Sequence, residues 1–145
     1  MFQKNKRKTK KTPREKAKKS AWDAYSIYIR TRDCIATTGT SDYGRCVTCG
    51  VLKPFKELQA GHYVEGRGNS VLFVDEGVNI QCYHCNMHME GNRHQYEKFM
   101  QNKYGPEVCE RLKMMKHMTQ KLGILELSAI KQDAEERTKI LIGKL

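Results

Sequence analysis

Two cysteine pairs stand 32 residues apart in this chain, Cys46-Val-Thr-Cys49 and Cys82-Tyr-His-Cys85. Four thiolates in two such knuckles suit one tetrahedral zinc ion, with Zn–S bonds near 2.3 Å. A shell of four cysteines leaves no open position for water. A zinc ion here therefore holds the fold, and any chemistry must come from other residues. A redox Cys-x2-Cys would open a helix after a strand in a βαβ pattern, which this sequence lacks. Cys34 and Cys109 have no partner at ligand spacing and read as ordinary thiols.

Three residues lie inside or beside the cysteine frame. His62 ends a stretch between the knuckles, Asn79 lies just before the second knuckle, and Asn86 follows its last ligand. A neutral imidazole can take a proton from water near pH 7. An amide carbonyl can bind a hard cation such as Mg²⁺, which can hold a scissile phosphate and stabilise the leaving 3′ oxygen. If both knuckles share one ion, Asn86 is fixed near the zinc cage at a helix start, and the strand carrying His62 can lie across that helix. This arrangement suits phosphodiester hydrolysis. A lone histidine on a strand is more often structural; its place inside the frame is what favours chemistry. His84 and His88 form an i,i+4 pair; His94 and His117 read as surface residues. Arg67 and Arg93 are placed to contact phosphate.

These residues need elements to position them. Ser20-x-x-Asp23 resembles a capping box, and Trp22, Tyr25 and Ile29 recur near helical spacing, which predicts a helix over 20–33. Its aromatics belong to the core; Arg30 and Arg32 either touch phosphate or are solvated. Residues 36–45 read as polar turn. Alternation predicts a strand over 57–64, and 65–70 read as a flexible loop with Arg67 in its middle. Residues 71–74 and 77–82 read as extended. A helix begins near Cys82–Cys85, breaks at Gly91–Asn92 and resumes over 93–104. Gly105-Pro106 stops it, and helices follow at 106–120 and 126–142.

The chain has 145 residues, 39% hydrophobic and 30% charged, with net charge +11. That bounds it to one domain, or one domain with extensions, and to a modest core that gains from a metal staple. No stretch approaches the roughly 18 apolar residues of a membrane helix. No apolar region follows the basic start, so no secretory signal is expected. A soluble, intracellular protein with reduced cysteines is the expectation. The charge is uneven: residues 1–19 hold ten Lys or Arg against Glu15, which is +9 of the +11. Such a block stays disordered alone and attracts polyanions with a steep salt dependence. Lys8, Lys10, Lys11, Arg14, Lys18 and Lys19 are its expected DNA contacts.

"IRTRD" (29–33), "CVTCG" (46–50), "LQAGHY" (58–63), "VNIQCYHCN" (78–86) and "GN" (91–92) resemble, in order and spacing, the NinG (Rap) recombination proteins of lambda-like phages. The resemblance covers about residues 20–112, and the wider superfamily is the HNH, or His-Me finger, nucleases. It implies an α+β fold: a small zinc-stapled ββα-metal core flanked by helices, with a disordered basic N-terminal tail. The divisions are a tail at 1–19, a nuclease domain at 20–112 and a helical extension at 113–145. The implied activity is metal-dependent endonucleolytic cleavage of branched DNA, such as Holliday junctions or flaps, in the cytoplasm of a host bacterial cell. By the same resemblance His62 is the general base, Asn79 braces the loop that presents it, and Asn86 binds catalytic Mg²⁺ or Mn²⁺. Cys46, Cys49, Cys82 and Cys85 hold structural zinc. Many superfamily members place an aspartate directly before the histidine; here Gly61 stands there. That leaves the second ligand open among Asp75, Glu76, His88 and Glu90, or water and phosphate. A homodimer built by the 106–142 helices would match a junction's two-fold character; no membrane partner is expected.

The runner-up is a non-catalytic zinc-binding module for nucleic acid, in which His62 is structural. A third reading is a structural protein with a nucleic-acid-binding tail, such as a ribosome-associated factor. A binding module has no need of the His62/Asn86 pair inside the cysteine frame.

Overall fold

The computed structural model describes residues 8–145; the expectations for residues 1–7, the start of the basic tail, lie outside the described residues. The first helix, α1 (Pro13–Thr38), starts seven residues earlier than the apolar spacing predicts. Its start is written in Thr12-Pro13-Arg14-Glu15. The Thr12 hydroxyl accepts from the Glu15 amide, the Glu15 carboxylate accepts from the Thr12 amide at 2.8 Å, and Pro13 sits where no amide hydrogen is needed. A capping box of this kind contributes about 1 kcal/mol. Residues 13–19 are therefore helical, which corrects the expectation of a disordered tail through residue 19; residues 8–12 are exposed and without regular structure.

The far end of α1 also runs past its expected limit. Thr37 and Thr38 donate their hydroxyls back to the Asp33 and Cys34 carbonyls, a pattern open to hydroxyl side chains in a helix. Gly39, at φ +80°, then ends the helix in the left-handed conformation.

Four short strands form two antiparallel pairs. β1 (Tyr43–Arg45) and β2 (Leu52–Pro54) flank the first cysteine knuckle, a hairpin that turn chemistry alone did not reveal. β3 (Leu58–His62) pairs with β4 (Val78–Cys82), with Gly61 opposite Asn79 and His62 opposite Val78. Between them, residues 71–74 are not extended as expected. They join a helical turn, α2 (Asn69–Leu72), held by Ser70 and Asn69 side chains bonding the Met115 and Gln120 carbonyls. A short apolar run does not distinguish strand from helix by periodicity. After β4 comes a wide π-type turn (His84–His88), then α3 (Arg93–Tyr104), α4 (Pro106–Met115) and α5 (Ile124–Gly143).

The β3–β4 hairpin is covered on both faces. Leu58, Val78 and Ile80 point toward α1 and form one core with Tyr25, Tyr28, Ile29 and Ala134 of α5. The opposite face carries Gln59, Gly61, Asn79 and Gln81, where Tyr96 and Met100 of α3 meet Asn79. A second core joins α3 and α4 to Tyr63, Val64 and Val71. α5 packs along α1, with Leu127 against Ala21 and Leu122. The architecture is α+β, and none of the described helices is long and apolar enough to cross a membrane.

Candidate functional site

The sulfurs of Cys46, Cys49, Cys82 and Cys85 all lie within 4.8 Å of one another. Cys49 and Cys82 approach to 3.7 Å, close to the spacing of about 3.8 Å that tetrahedral Zn–S bonds require. Burial pushes the Cys46 thiol up, but the Thr48 hydroxyl and backbone amides bonded to it bring it down to about 7. Cys49 is driven up to about 12, first by burial and then by the neighbouring thiols. Four sulfurs this close ionise together only around a cation, so the donor set fits zinc. Cys34 and Cys109 are buried apart from the cluster, as expected for ordinary thiols.

A cleft of about 730 Å³ runs beside this cage. Consecutive β3 residues Leu58, Gln59 and Ala60 all line it, although alternate residues face opposite ways. The cleft therefore follows the unpaired edge of β3 and draws side chains from both faces. His62 reaches it from the α1 face and Asn86 from the α3 face. Arg67 and Arg93 line it too.

His62 is 7% exposed and stacks on Trp22, with ring centres 5.1 Å apart. Its Nε2 lies 3.1 Å from the Leu72 carbonyl. A carbonyl only accepts, so Nε2 carries the hydrogen and Nδ1 keeps its lone pair. Burial, aided by the charges of Arg67 and Arg93, pushes His62 down to about 4, while the Leu72 carbonyl works the other way. The ring is neutral at pH 7, the form a general base needs.

Asn79 does not line the cleft. It is fully buried, and its amide nitrogen donates to the Glu76 carbonyl at 3.1 Å and to the Tyr96 hydroxyl at 3.2 Å. The Tyr96 hydroxyl in turn donates to the Gly61 carbonyl at 2.7 Å. Asn79 thus ties the loop before β4 to the residue preceding His62. Asn86 sits in the π-type turn, where the Met89 amide bonds back to the His84 carbonyl. Its Nδ2 donates to Gln59 Oε1 at 2.8 Å, and no hydrogen bond is made to its Oδ1 among the described residues. That oxygen is the one available to a cation.

Several expected roles are redistributed. Asp75 accepts from Tyr25 and Arg137, and Glu76 pairs with Arg111. Neither of these, nor His88 or Glu90, lines the cleft. Arg93 donates to the His62 and Tyr63 carbonyls at 2.9 and 2.7 Å, so it braces the end of β3 as well as facing the cleft. Arg32 is neither a phosphate contact nor solvated: it bonds Asp33 and the Asp75 and Val78 carbonyls, tying α1 to β4. Arg14 donates to the Leu122 carbonyl, and Lys19 pairs with Asp23 at 2.7 Å. Lys8, Lys10, Lys11 and Lys18 make no ion pair among the described residues.

Sequence reasoning assigned Trp22 to the core, and it does pack against the core beside Tyr25 and Phe73. It lies half-buried at the junction of the cleft and a second groove lined by Lys11, Lys18 and Lys19, with Arg67 stacked over it at 4.6 Å. Helical spacing identifies Trp22 as inward-facing, and only the packing of α1 against His62 reveals that its ring also lines the cleft. Gln59 and Gln81 carried no sequence signal.

A family model described as "Bacteriophage Lambda NinG protein" matches residues 2–143, which extends past both ends of the 20–112 stretch that carried the resemblance. No curated protein and no solved structure matches the chain.

Proposed function

Because the chain belongs to the bacteriophage lambda NinG protein family, we propose that it is a metal-dependent endonuclease that hydrolyses branched DNA, and that β3, β4, the π-type turn and α3 form a His-Me finger core. The observation that carries this reading is the shared cleft: His62, with Nε2 bonded to a carbonyl and Nδ1 free, and Asn86, with a free Oδ1, line the same space beside the cysteine cage. Arg67 and the lysines of the adjoining groove give this space a positive approach suited to phosphates.

In this mechanism His62 Nδ1 takes the proton of a water molecule as the water oxygen bonds to phosphorus, and the bond from phosphorus to the 3′ oxygen breaks. The leaving oxygen takes a proton from solvent. A divalent cation held at Asn86 Oδ1, Mg²⁺ or Mn²⁺, supplies charge stabilisation to the phosphate and the leaving oxygen. Trp22 and the Leu72 carbonyl fix the imidazole plane and its tautomer. Asn79, acting through the Tyr96 hydroxyl on the Gly61 carbonyl, and Arg93, on the His62 and Tyr63 carbonyls, hold the backbone around His62. The cysteine cage contributes position only.

The test is cleavage of a panel of Holliday junctions, flaps and linear duplexes with Mg²⁺ or Mn²⁺. Cutting of branched substrates that stops on chelation of the added metal is expected. Binding without cutting under any divalent ion would instead favour the non-catalytic module. The acid limb of kcat/KM provides a second check, since it reports the free enzyme's base. With His62 held down to about 4, the base stays unprotonated as pH falls from 7, and the rate drops only toward pH 4, provided zinc content is unchanged. A limb near 6.5, the value of a free imidazole, would mean that the base is not this buried ring.

A further inference from the structure

Gln81 is fully buried, yet its Oε1 accepts no hydrogen bond. Its Nε2 donates to the Gly91 carbonyl at 2.8 Å and lies 3.1 Å from the Thr48 hydroxyl. Since a carbonyl only accepts, the amide cannot be turned over, and Oε1 must face the other way, toward Gly61. The space at Gly61 is where the two unused oxygens converge. A Cβ built on Gly61 would lie 2.1 Å from Gln81 Oε1 and 3.1 Å from Asn86 Oδ1. Two carbonyl oxygens near one point, with no protein donor between them among the described residues, are relieved only by a water that donates to them or by a cation that joins them.

We propose that Gln81 Oε1 is a second oxygen ligand of the divalent cation, beside Asn86 Oδ1, and that the missing side chain at position 61 is what admits it. This rests on the hydrolase reading above. Of the acids that sequence offered, Asp75 and Glu76 are engaged elsewhere and Glu90 does not line the cleft; Glu65, the one acid lining it, pairs with Arg93 at 3.1 Å. Both proposed ligands are neutral amides. Affinity for such cations rises with the ligand charge count, so the site alone binds weakly and the DNA phosphate completes it. The ion is thereby recruited together with the substrate.

Mn²⁺ binding to the zinc-loaded full chain, followed by electron paramagnetic resonance, tests this without relying on turnover. A His62→Ala background keeps bound junction DNA intact, and DNA alone is the blank. Mn²⁺ is expected to bind at least about tenfold more tightly to the protein–DNA complex than to the protein. Gln81→Met should weaken binding in the complex about tenfold or more. Gly61→Ala should do the same by pushing the oxygen aside, and it decides the matter if Gln81→Met loses its zinc. Gln81→Glu should tighten Mn²⁺ binding to the protein alone about tenfold, and Glu65→Gln should change nothing. If Gln81→Met and Gly61→Ala keep full affinity while Asn86→Ala loses it, Gln81 holds only water and the proposal fails, with the hydrolase reading intact. If Asn86→Ala also keeps affinity, or the complex binds no Mn²⁺, both fail together.

Discussion

His62→Ala is expected to lower cleavage of branched DNA by about a thousandfold, roughly 4 kcal/mol of transition-state stabilisation, while DNA affinity stays within about threefold of wild type. The ring is the one imidazole lining the cleft among the described residues. Its Nε2 is committed to Leu72 and its protonation is suppressed by burial and two arginines. A ring so placed does little for binding, because it offers DNA neither charge nor an exposed donor. Its removal therefore separates rate from affinity. The alanine leaves a void under Trp22, so His62→Asn serves as a second variant that keeps more of the volume; it should be equally inactive, since an amide cannot take the proton. Added imidazole should restore part of the alanine variant's rate, and zinc content should match wild type in both. Cleavage within threefold of wild type would remove His62 from the mechanism and leave it as a packed partner of Trp22.

Cys82→Ser is expected to abolish the cooperative unfolding transition and leave the protein without zinc. The size of the effect follows from how little else holds this region. Cys46, Cys82 and Cys85 form a cluster of their own with no apolar residue in it, and β1 and β2 are three residues each, too short to stand alone. Structural zinc contributes on the order of 10 kcal/mol to folding, comparable with the whole stability of an ordinary domain. Cys82 is also the last residue of β4, paired with Leu58 at the start of β3. Losing it frees this end of the strand pair and the turn that carries Asn86. Zinc analysis with circular dichroism on heating reads both losses. A folded, zinc-free variant with a sharp transition would show that apolar packing suffices and that the cysteines are not the scaffold.

The expectations that met the structure best were those written locally. The 93–104 helix and its Gly105-Pro106 stop stand where they were expected, because the capping and breaking residues act on their own neighbours. The strand pair was found within one or two residues of its ends. The misses have physical causes as well. Apolar spacing marked α1 only from the point where it is buried, but Thr12 and Glu15 start it two turns earlier in solvent, where hydrogen bonds rather than burial define the helix. Arg32 looked like a surface cation because, beyond its neighbour Asp33, the carbonyls that bury it, Asp75 and Val78, are more than forty residues away.

The sequence by itself marked the four cysteines as one cluster that could hold zinc, since two Cys-x2-Cys knuckles suit a shared ion, and it marked His62 and Asn86 by their places around that cluster. The tertiary structure alone decided that these two line one cleft along an open strand edge, that Trp22 lines the cleft as well as packing on the core, and that Gln81 turns an unused oxygen toward Gly61. Ligand spacing is a short-range constraint and is visible in one dimension. Convergence across a strand edge depends on which helix covers each face, and that is settled only when α1 and α3 pack on opposite sides of the same two strands.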